Sequence, residues 1–444
     1  MKKINKILAI FSHKGLKKYS ANTAWLVGDK IIKLFLGFFV GVWVARYLGP
    51  EKFGIFNYVI ALMGFLVPFT KFGFDGIITR NIIRREEDIN ILISSAFVFK
   101  LIGSVIASLI LVLYLFFKED DLIYFYLGVV FSLKFIFQPF EVIELYYRAK
   151  VKSKHIFYSK LIGELFSSTL KVVLILLGSS LIYFAGAHVS LFIVTALSLM
   201  FFFRKESTYL SFKFFSLKRG IGLLKESWPL IFSGVFAILY LSVDKIMIAE
   251  MLNDYELGQY SVAVKISSVW YFIPLYIRMG ILPALVNAKK KSEELYYKRL
   301  GLVFSSMTLL SYLIIIPISL FSNDIINFLF GTQYNEAGDV LRIHILSLPF
   351  FFLGIGRGLW VTNESNFKFD LFANVIGGLV NILLNYLWLP KYGIMGAAYA
   401  TLISFSFTFF FSNLFTKTSR RIFVMQLRSI FLGDLIAKYI FKNT

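Results

Sequence analysis

Five cations lie well inside apolar stretches of this sequence, where charged side chains are rare: Lys33, Lys100, Lys134, Lys265 and Arg278. At about 3 kcal/mol for each charge at mid-membrane, five lipid-facing cations would cost about 15 kcal/mol, as much as the whole stability of an ordinary domain. We therefore expect these side chains to face protein or a water-filled cavity. Lysine offers a point charge and arginine a planar fork for phosphate oxygens, so the chemistry indicated is binding of a pyrophosphate-bearing anion.

Polar residues recur at helical spacing in several of these stretches. Lys134, Gln138, Glu141, Glu144 and Arg148 stand at i, i+4, i+7, i+10 and i+14, which places them along one broad stripe of a helix. Other polar positions are Lys160, Glu164, Ser167 and Lys171; Asp29, Lys30, Lys33, Gly37 and Gly41; Asp244, Lys245, Lys265, Arg278, Arg342 and Arg357; and the uncharged stripe Asn374, Gly378, Asn381 and Asn385. The uncharged groups suit hydrogen bonding to sugar hydroxyls.

The elements that must position these residues are apolar segments long enough to cross a membrane. The chain is 58% hydrophobic with a mean hydropathy of +0.73, and about 20 apolar residues cross the bilayer core. The sequence predicts an all-α integral membrane protein with these twelve transmembrane helices: 24–45, 54–73, 92–117, 122–147, 156–177, 181–203, 227–251, 257–286, 300–321, 338–361, 370–389 and 395–416.

The distribution of basic residues predicts the orientation of these spans. Lys and Arg in the connections number 31 on one side of the membrane and 4 on the other. Cytoplasmic loops carry the excess of Lys and Arg, so both termini are predicted to lie in the cytoplasm.

The charges inside the spans have two interpretations. They form ion pairs that hold helices together, such as Lys134 with Glu141, or they line a cavity. Cations lead anions by 12 to 8 within the spans, and by 11 to 4 away from the span ends. If these residues only formed ion pairs, cations and anions would be equal in number. The excess of cations therefore favours a cavity that binds a negatively charged substrate.

Composition and motifs exclude several classes of function. The net charge of +21 follows the predicted topology, so no nucleic-acid partner is expected. Cysteine is absent and the four histidines are scattered, so neither a metal site nor thiol catalysis is expected. No motif for a nucleotide or another cofactor is present. The N-terminus lacks a signal-peptide pattern, and the first span is expected to be an uncleaved anchor.

The two halves of the chain resemble each other. Leu48–Phe56, between the first two predicted spans, is similar to Leu252–Tyr260, which lies 204 residues later between the seventh and eighth. Six spans per half give both halves the same orientation, as in one class of transporter repeat. The predicted organisation is a basic amphipathic N-terminus at 1–20, a first lobe at 21–205, a linker at 206–226, a second lobe at 227–416 and a basic tail at 417–444.

Both termini show amphipathic patterns typical of helices at a membrane surface. The apolar positions are Ile4, Ile7, Leu8 and Phe11 at the N-terminus, and Ile422, Phe423, Leu427, Ile430 and Phe431 in the tail. A thirteenth span at 422–441 is disfavoured, because four polar or charged residues would lie within it.

Several segments together resemble the bacterial polysaccharide-unit flippases, the translocases of O-antigen and capsule units in the superfamily of the MATE exporters. The resemblance covers about residues 20–416. It rests on Ala45–Gly54 followed by Pro68, Gly73, Asp75 and Arg80; Phe137–Glu141 with Arg148–Lys150; Ser227–Leu230 and Val243–Ile248; and Leu387–Gly393 with Gly396–Ala398.

This resemblance implies a two-lobed MATE-like fold in the bacterial cytoplasmic membrane that carries an undecaprenyl-diphosphate-linked oligosaccharide in a cationic central cavity. Polymerase or glycosyltransferase partners are implied as well. Related fourteen-span flippases carry two further helices, which argues against a peptidoglycan precursor as cargo. The expected substrate-binding residues are Lys30, Lys33, Lys134, Glu141, Arg148, Asp244, Lys245, Lys265 and Arg278, and H⁺ or Na⁺ would be coupled at Glu141, Glu144, Glu164 or Asp244.

Two alternatives remain open. A MATE-type exporter of cationic drugs would need an anionic cavity, and the sign of the charge here is opposite. A membrane glycosyltransferase or polymerase would need a large outer loop with clustered acidic or histidine residues. The longest predicted outer connection, Ser322–Ala337, carries Asp324 and Glu336 without a catalytic set. We therefore expect a transporter and not an enzyme.

Overall fold

The protein is built of α-helices throughout its described part. The computed structural model describes residues 14–84, 88–118 and 122–432, apart from the side chains at 14–24, 26, 27, 29–31, 33, 233, 236, 237 and 239–241. Within these ranges there is no β-strand. The predicted amphipathic segment at 4–11 lies outside them.

The helices of the first half are interrupted where the sequence disfavours helix. Gly49 divides the first helix with φ 75° and ψ 170°, a region open essentially to glycine alone. Pro139 lies in the 3₁₀ turn Gln138–Phe140 between the fourth and fifth helices, because proline lacks the N–H of a continuous helix. In chain order the helices are α1 Lys14–Lys71, α2 Phe74–Arg84, α3 Ile89–Lys118, α4 Leu122–Phe137, α5 Glu141–Ala149, α6 Ser153–Leu176 and α7 Leu181–Phe203.

The helices of the second half begin at polar caps in three places. The side chains of Asn253, Ser292 and Thr416 accept hydrogen bonds from backbone N–H groups three residues on, which satisfies donors that the first turn leaves open. The helices are α8 Leu217–Met251, α9 Asp254–Ser268, α10 Phe272–Lys291, α11 Glu293–Leu320, α12 Ser322–Phe330, α13 Ala337–His344, α14 Leu348–Glu364, α15 Phe367–Tyr392, α16 Ile394–Phe409 and α17 Lys417–Ile430.

The predicted all-α membrane architecture is confirmed. Each of the twelve predicted spans falls on one of these helices or on two helices in series. Nine stretches of described residues are long and apolar enough to cross a membrane, and the first, Leu34–Arg84, contains the predicted span 54–73 and part of 24–45. The predicted spans 156–177 and 227–251 are not among the nine, and each carries three charged residues. Phe117, Leu176 and Phe328 are about 80% exposed, as expected of lipid-facing side chains. The orientation of the termini stays a prediction.

The chain divides into two compact units. Unit 1 comprises the residues up to Leu48 and Val59–Val235, and unit 2 comprises Gly49–Tyr58 and the residues from Phe236. The predicted linker 206–226 lies within unit 1, where backbone N–H groups of Tyr209, Ser211 and Ser216 donate to polar side chains at the start of α3.

Unit 2 contains a reciprocal backbone contact between the two repeated segments. A Cβ added to Gly54 would lie 1.7 Å from the carbonyl oxygen of Asp254, and one added to Gly258 would lie 1.9 Å from that of Pro50. Each glycine and each carbonyl has its counterpart 204 residues away. The sequence repeat is therefore also a contact, and glycine is required because only a residue without Cβ allows this approach.

The tail helix α17 packs against unit 2 through a polar face. Ser419, Gln426 and Ser429 are fully buried with Ile422, and Gln426 accepts a hydrogen bond from the Asn413 amide and donates one to the Leu353 carbonyl. Apolar side chains such as Leu427 are exposed. A small polar face inward and an apolar face outward is typical of helices packed within membranes.

Candidate functional site

The break between α4 and α5 in unit 1 is surrounded by charged side chains. Glu141 begins α5 and forms an ion pair with Lys71 of α1 at 3.0 Å. One turn later, Glu144 pairs with Lys160 of α6 at 2.8 Å and with Arg148 at 3.3 Å. The predicted polar stripe of this span therefore meets cations from two other helices.

A small cavity of about 80 Å³ lies beside these charges. Gln138, Glu141, Glu144 and Lys160 line it together with apolar residues of α7 that include Phe192. The ammonium group of Lys134 lies 4.8 Å from the centre of the Phe192 ring, a cation–π distance. We call the following six residues the charged cluster: Lys71, Lys134, Glu141, Glu144, Arg148 and Lys160.

The charged cluster contains four cations and two carboxylates. Both carboxylates are paired with lysines of other helices. These pairs neutralise two of the four cations, so the charged cluster has a net positive charge. A net positive, partly buried group of this kind is chemically suited to an anion, because ammonium and guanidinium groups donate charge-assisted hydrogen bonds. No described geometry near it resembles a catalytic arrangement of nucleophile and base.

Other predicted residues of unit 1 do not belong to the charged cluster, although Asp75, the partner of Lys100, interacts electrostatically with its members Lys71 and Arg148. Lys100 is 1% exposed and pairs with Asp75 of α2 at 3.0 Å, which fixes α2 against α3. Glu164 is buried in α6, and one of its carboxylate oxygens lies 3.6 Å from the position of a Cβ on Gly37. The backbone at Lys30 and Lys33 is helical, and their side chains are outside the described part.

In unit 2 the predicted residue Asp244 lies in a hydrogen-bonded core. It accepts hydrogen bonds from the hydroxyl of Tyr260 and from the backbone N–H of Lys245. The Tyr260 hydroxyl also lies 3.5 Å from Thr401 of α16. Asp244 is 6% exposed, so it is a buried carboxylate held by hydrogen bonds from α8 and α9.

Lys265 and Arg278 have different surroundings. The Lys265 ammonium lies 5.8 Å from the ring centre of Phe53, in the segment that joins unit 2 from the first half of the chain. Arg278 donates a hydrogen bond to Thr362 at 3.3 Å. These cations thus contact separate parts of unit 2.

Three important positions were missing from the predicted set. Lys71, Lys160 and Tyr260 each contact a predicted carboxylate. Lys160 lies on a predicted stripe, so its spacing was an available signal. Lys71 stands two residues from the end of its predicted span, and tyrosine is too common here, at 24 residues, to single out Tyr260.

Arg357 is a buried cation of unit 2 whose hydrogen bonds connect helices. It is 1% exposed and donates to Asp370 at 2.7 Å, to the Thr408 carbonyl at 2.6 Å and to Ser412 at 3.0 Å. These bonds connect α14 to α15 and to the end of α16. The guanidinium therefore serves to connect helices of unit 2.

Comparison with known proteins gives consistent matches. A family model described as "Polysaccharide biosynthesis protein" matches residues 20–289, and one described as MatE matches 229–387. The chain is 26% identical over 205 residues to the "Probable low-salt glycan biosynthesis flippase Agl15" of Haloferax volcanii, covering 43% of this chain and 41% of the relative. It is 24% identical over 221 residues to the "Capsular polysaccharide biosynthesis protein CapF" of Staphylococcus aureus, covering 47% and 56%. The chain thus spans about half the length of these curated relatives.

Solved structures show the same fold. The lipid II flippase MurJ in an inward closed conformation aligns with a TM-score of 0.70 at 17% identity, over 95% of this chain and 92% of that chain. A multidrug resistance MATE transporter in an inward-facing conformation aligns with a TM-score of 0.68 at 14% identity, over 95% and 99%. At these identities the likeness concerns the fold, which is the predicted MATE-like architecture of a multi-pass membrane protein.

Proposed function

Because the chain belongs to the polysaccharide biosynthesis protein family, we propose that it is a flippase that moves an undecaprenyl-diphosphate-linked oligosaccharide across the bacterial cytoplasmic membrane by alternating access. The curated relatives are named for glycan and capsule biosynthesis, which supports a lipid-linked glycan as cargo.

The observation that carries this proposal is the net positive charge of the charged cluster. Four cations against two paired carboxylates leave positive charge available for a diphosphate. Lys134 is half-buried and the Arg148 side chain is 43% exposed, so a ligand can reach both. In this proposal the diphosphate interacts with them, and neutral groups such as Gln138 bond to the sugar.

Export of cationic drugs is the weaker alternative. A cationic substrate needs free carboxylates, and both carboxylates of the charged cluster are already paired with lysines. Asp244 differs from these two carboxylates, because it is held by hydrogen bonds and forms no ion pair with any described residue. Asp244 is therefore our candidate for a coupled H⁺ or Na⁺.

The test is replacement of Lys134 by Ala and by Arg in a strain that lacks its own polysaccharide flippase. We expect the Ala variant to lose most surface polysaccharide and to accumulate the lipid-linked unit. The Arg variant should retain much of the activity because the charge stays at similar reach. Lys290→Ala, an exposed substitution in the last turn of α10, is the matched control and should export normally.

Variants of the ion pair between Lys71 and Glu141 distinguish a role of the charged cluster in substrate binding from a purely structural role. If Lys71 only neutralises Glu141, the double variant Lys71→Ala, Glu141→Ala recovers the activity lost in the single variants, because no unpaired buried charge remains. If the cluster binds the diphosphate, the double variant stays impaired. Normal export by Lys134→Ala at wild-type abundance would refute the proposed role of the charged cluster.

A further inference from the structure

Unit 2 has a second polar cavity, separate from the residues discussed above. Its volume is about 410 Å³, and it lies where α11, the connection between α14 and α15, and the tail helix α17 meet. Its walls include Tyr297, Trp360, Glu364, Lys417 and Arg421. The predicted topology places all of these residues at the cytoplasmic surface.

The cavity has an excess of positive charge. Lys417 and Arg421 are exposed, and neither forms an ion pair with any residue in the described part of the chain. The Arg421 guanidinium lies 3.3 Å from the ring centre of Tyr297, which orients it at the wall. The one carboxylate of the wall, Glu364, is neutralised by Lys289 at 2.6 Å. Two cations therefore remain without counter-ions.

Further hydrogen-bond donors surround these cations. Lys417 and Thr418 form the first turn of the 14-residue helix α17, where backbone N–H groups and the helix dipole favour anions. Ser365 and Asn366 line the opposite wall with a hydroxyl and an amide. Trp360, only 1% exposed, forms part of the same wall. The cavity therefore combines two cations with several neutral hydrogen-bonding groups.

We propose that this cavity binds the phosphate of an anionic lipid headgroup. Free phosphate shares the same chemistry, but two strongly exposed aromatic side chains favour a lipid. Phe367 is 60% exposed next to Asn366, and Phe415 is 57% exposed two residues before Lys417. They provide an apolar surface for acyl chains beside a polar site for the headgroup. The inference does not depend on the nature of the transported cargo.

The experiment is native mass spectrometry of the purified full-length protein with phosphatidylglycerol, phosphatidylcholine or inorganic phosphate. The test variant is Lys417→Gln, Arg421→Gln. The control variant is Lys368→Gln, Arg420→Gln, which removes the same charge from exposed residues that do not line the cavity. We expect the test variant to bind phosphatidylglycerol at least about tenfold more weakly, because charge-assisted hydrogen bonds are lost. The control should change by about twofold or less.

Thermal unfolding in detergent provides a second measurement. Phosphatidylglycerol should raise the unfolding temperature of the wild type and the control variant, and leave that of the test variant unchanged. If the loss of Arg421 impairs folding, the single variant Lys417→Gln is used as the test variant. The exposed ammonium group of Lys417 forms no ion pair or hydrogen bond with a described residue. Equal losses in test and control variants would overturn the proposal. Saturable binding of inorganic phosphate with no preference for phosphatidylglycerol over phosphatidylcholine would overturn the lipid assignment.

Discussion

The reciprocal glycine contact in unit 2 leads to a quantitative prediction for Gly54→Ala. The new Cβ would lie 1.7 Å from the Asp254 carbonyl oxygen, whereas real Cβ contacts essentially never fall below 3.0 Å. The two segments must therefore separate by about 1.3 Å. The oxygen belongs to the backbone, so no side-chain rotation relieves the overlap.

The expected loss of stability follows from two opposing terms. Overpacking against a rigid neighbour costs about 3 kcal/mol. Alanine is favoured over glycine within a helix by about 1 kcal/mol, which offsets part of this cost. We therefore expect Gly54→Ala to lower the free energy of unfolding of unit 2 by about 2 kcal/mol, and Gly258→Ala to do the same because its contact is 1.9 Å.

Two measurements check this prediction. The first is thermal unfolding of the purified protein, with Gly64→Ala as the control in the same helix, since a Cβ at Gly64 meets nothing within 4 Å. The second uses the absence of native cysteine. A cysteine at Ser261, which is 3% exposed, should become reactive to maleimide when the contact opens. The reasoning is refuted if Gly54→Ala unfolds like the wild type, or if Gly64→Ala is destabilised equally.

Three further predictions test topology and packing. A single cysteine at the exposed position Glu51 should react with an impermeant thiol reagent from outside intact cells, and one at exposed Lys290 should not; the reverse result would contradict the predicted orientation. Arg357→Met should lower the free energy of unfolding by about 2–3 kcal/mol, because Asp370, the Thr408 carbonyl and Ser412 each lose a hydrogen bond from a buried donor. Arg342→Met, at an ion pair whose side chains are 46% and 58% exposed, should cost less than about 1 kcal/mol in the same denaturation assay. Gln426→Leu should cost about 1–3 kcal/mol, because it removes buried hydrogen bonds to the Asn413 amide and the Leu353 carbonyl. Unchanged thermal stability would show that these bonds contribute little.

The sequence was informative about helices and their polar faces because both depend on local spacing. The stripe from Lys134 to Arg148 was predicted from spacing alone, and its members do lie around one cavity or beside it. The partner of Glu141 was not predictable. Lys134 was the pair suggested by proximity in sequence, and the structure pairs Glu141 with Lys71, because helix neighbours are set by tertiary packing.

The packing of the tail helix α17 was also not predicted from the sequence. Its apolar residues indicated a helix at the membrane surface, and the helix is present. Its packed face is formed by Ser419, Gln426 and Ser429, which a search for apolar stripes overlooks. In a membrane the inward face of a helix is often the small and polar one, since lipid already solvates the apolar face. Spacing of small polar residues was the signal that identifies this face.

The segment Gly49–Tyr58 also constrains the timing of biogenesis. Its partners around Gly258 are synthesised 204 residues later, and at ribosomal speeds of about 5–20 residues per second that interval is about 10 to 40 s. Through this time the Gly54 surface is already at the membrane without its natural neighbour. Unit 2 therefore cannot mature in order along the chain. Its earliest segment waits for α9, so this contact forms only after the intervening helices of unit 1 have been synthesised.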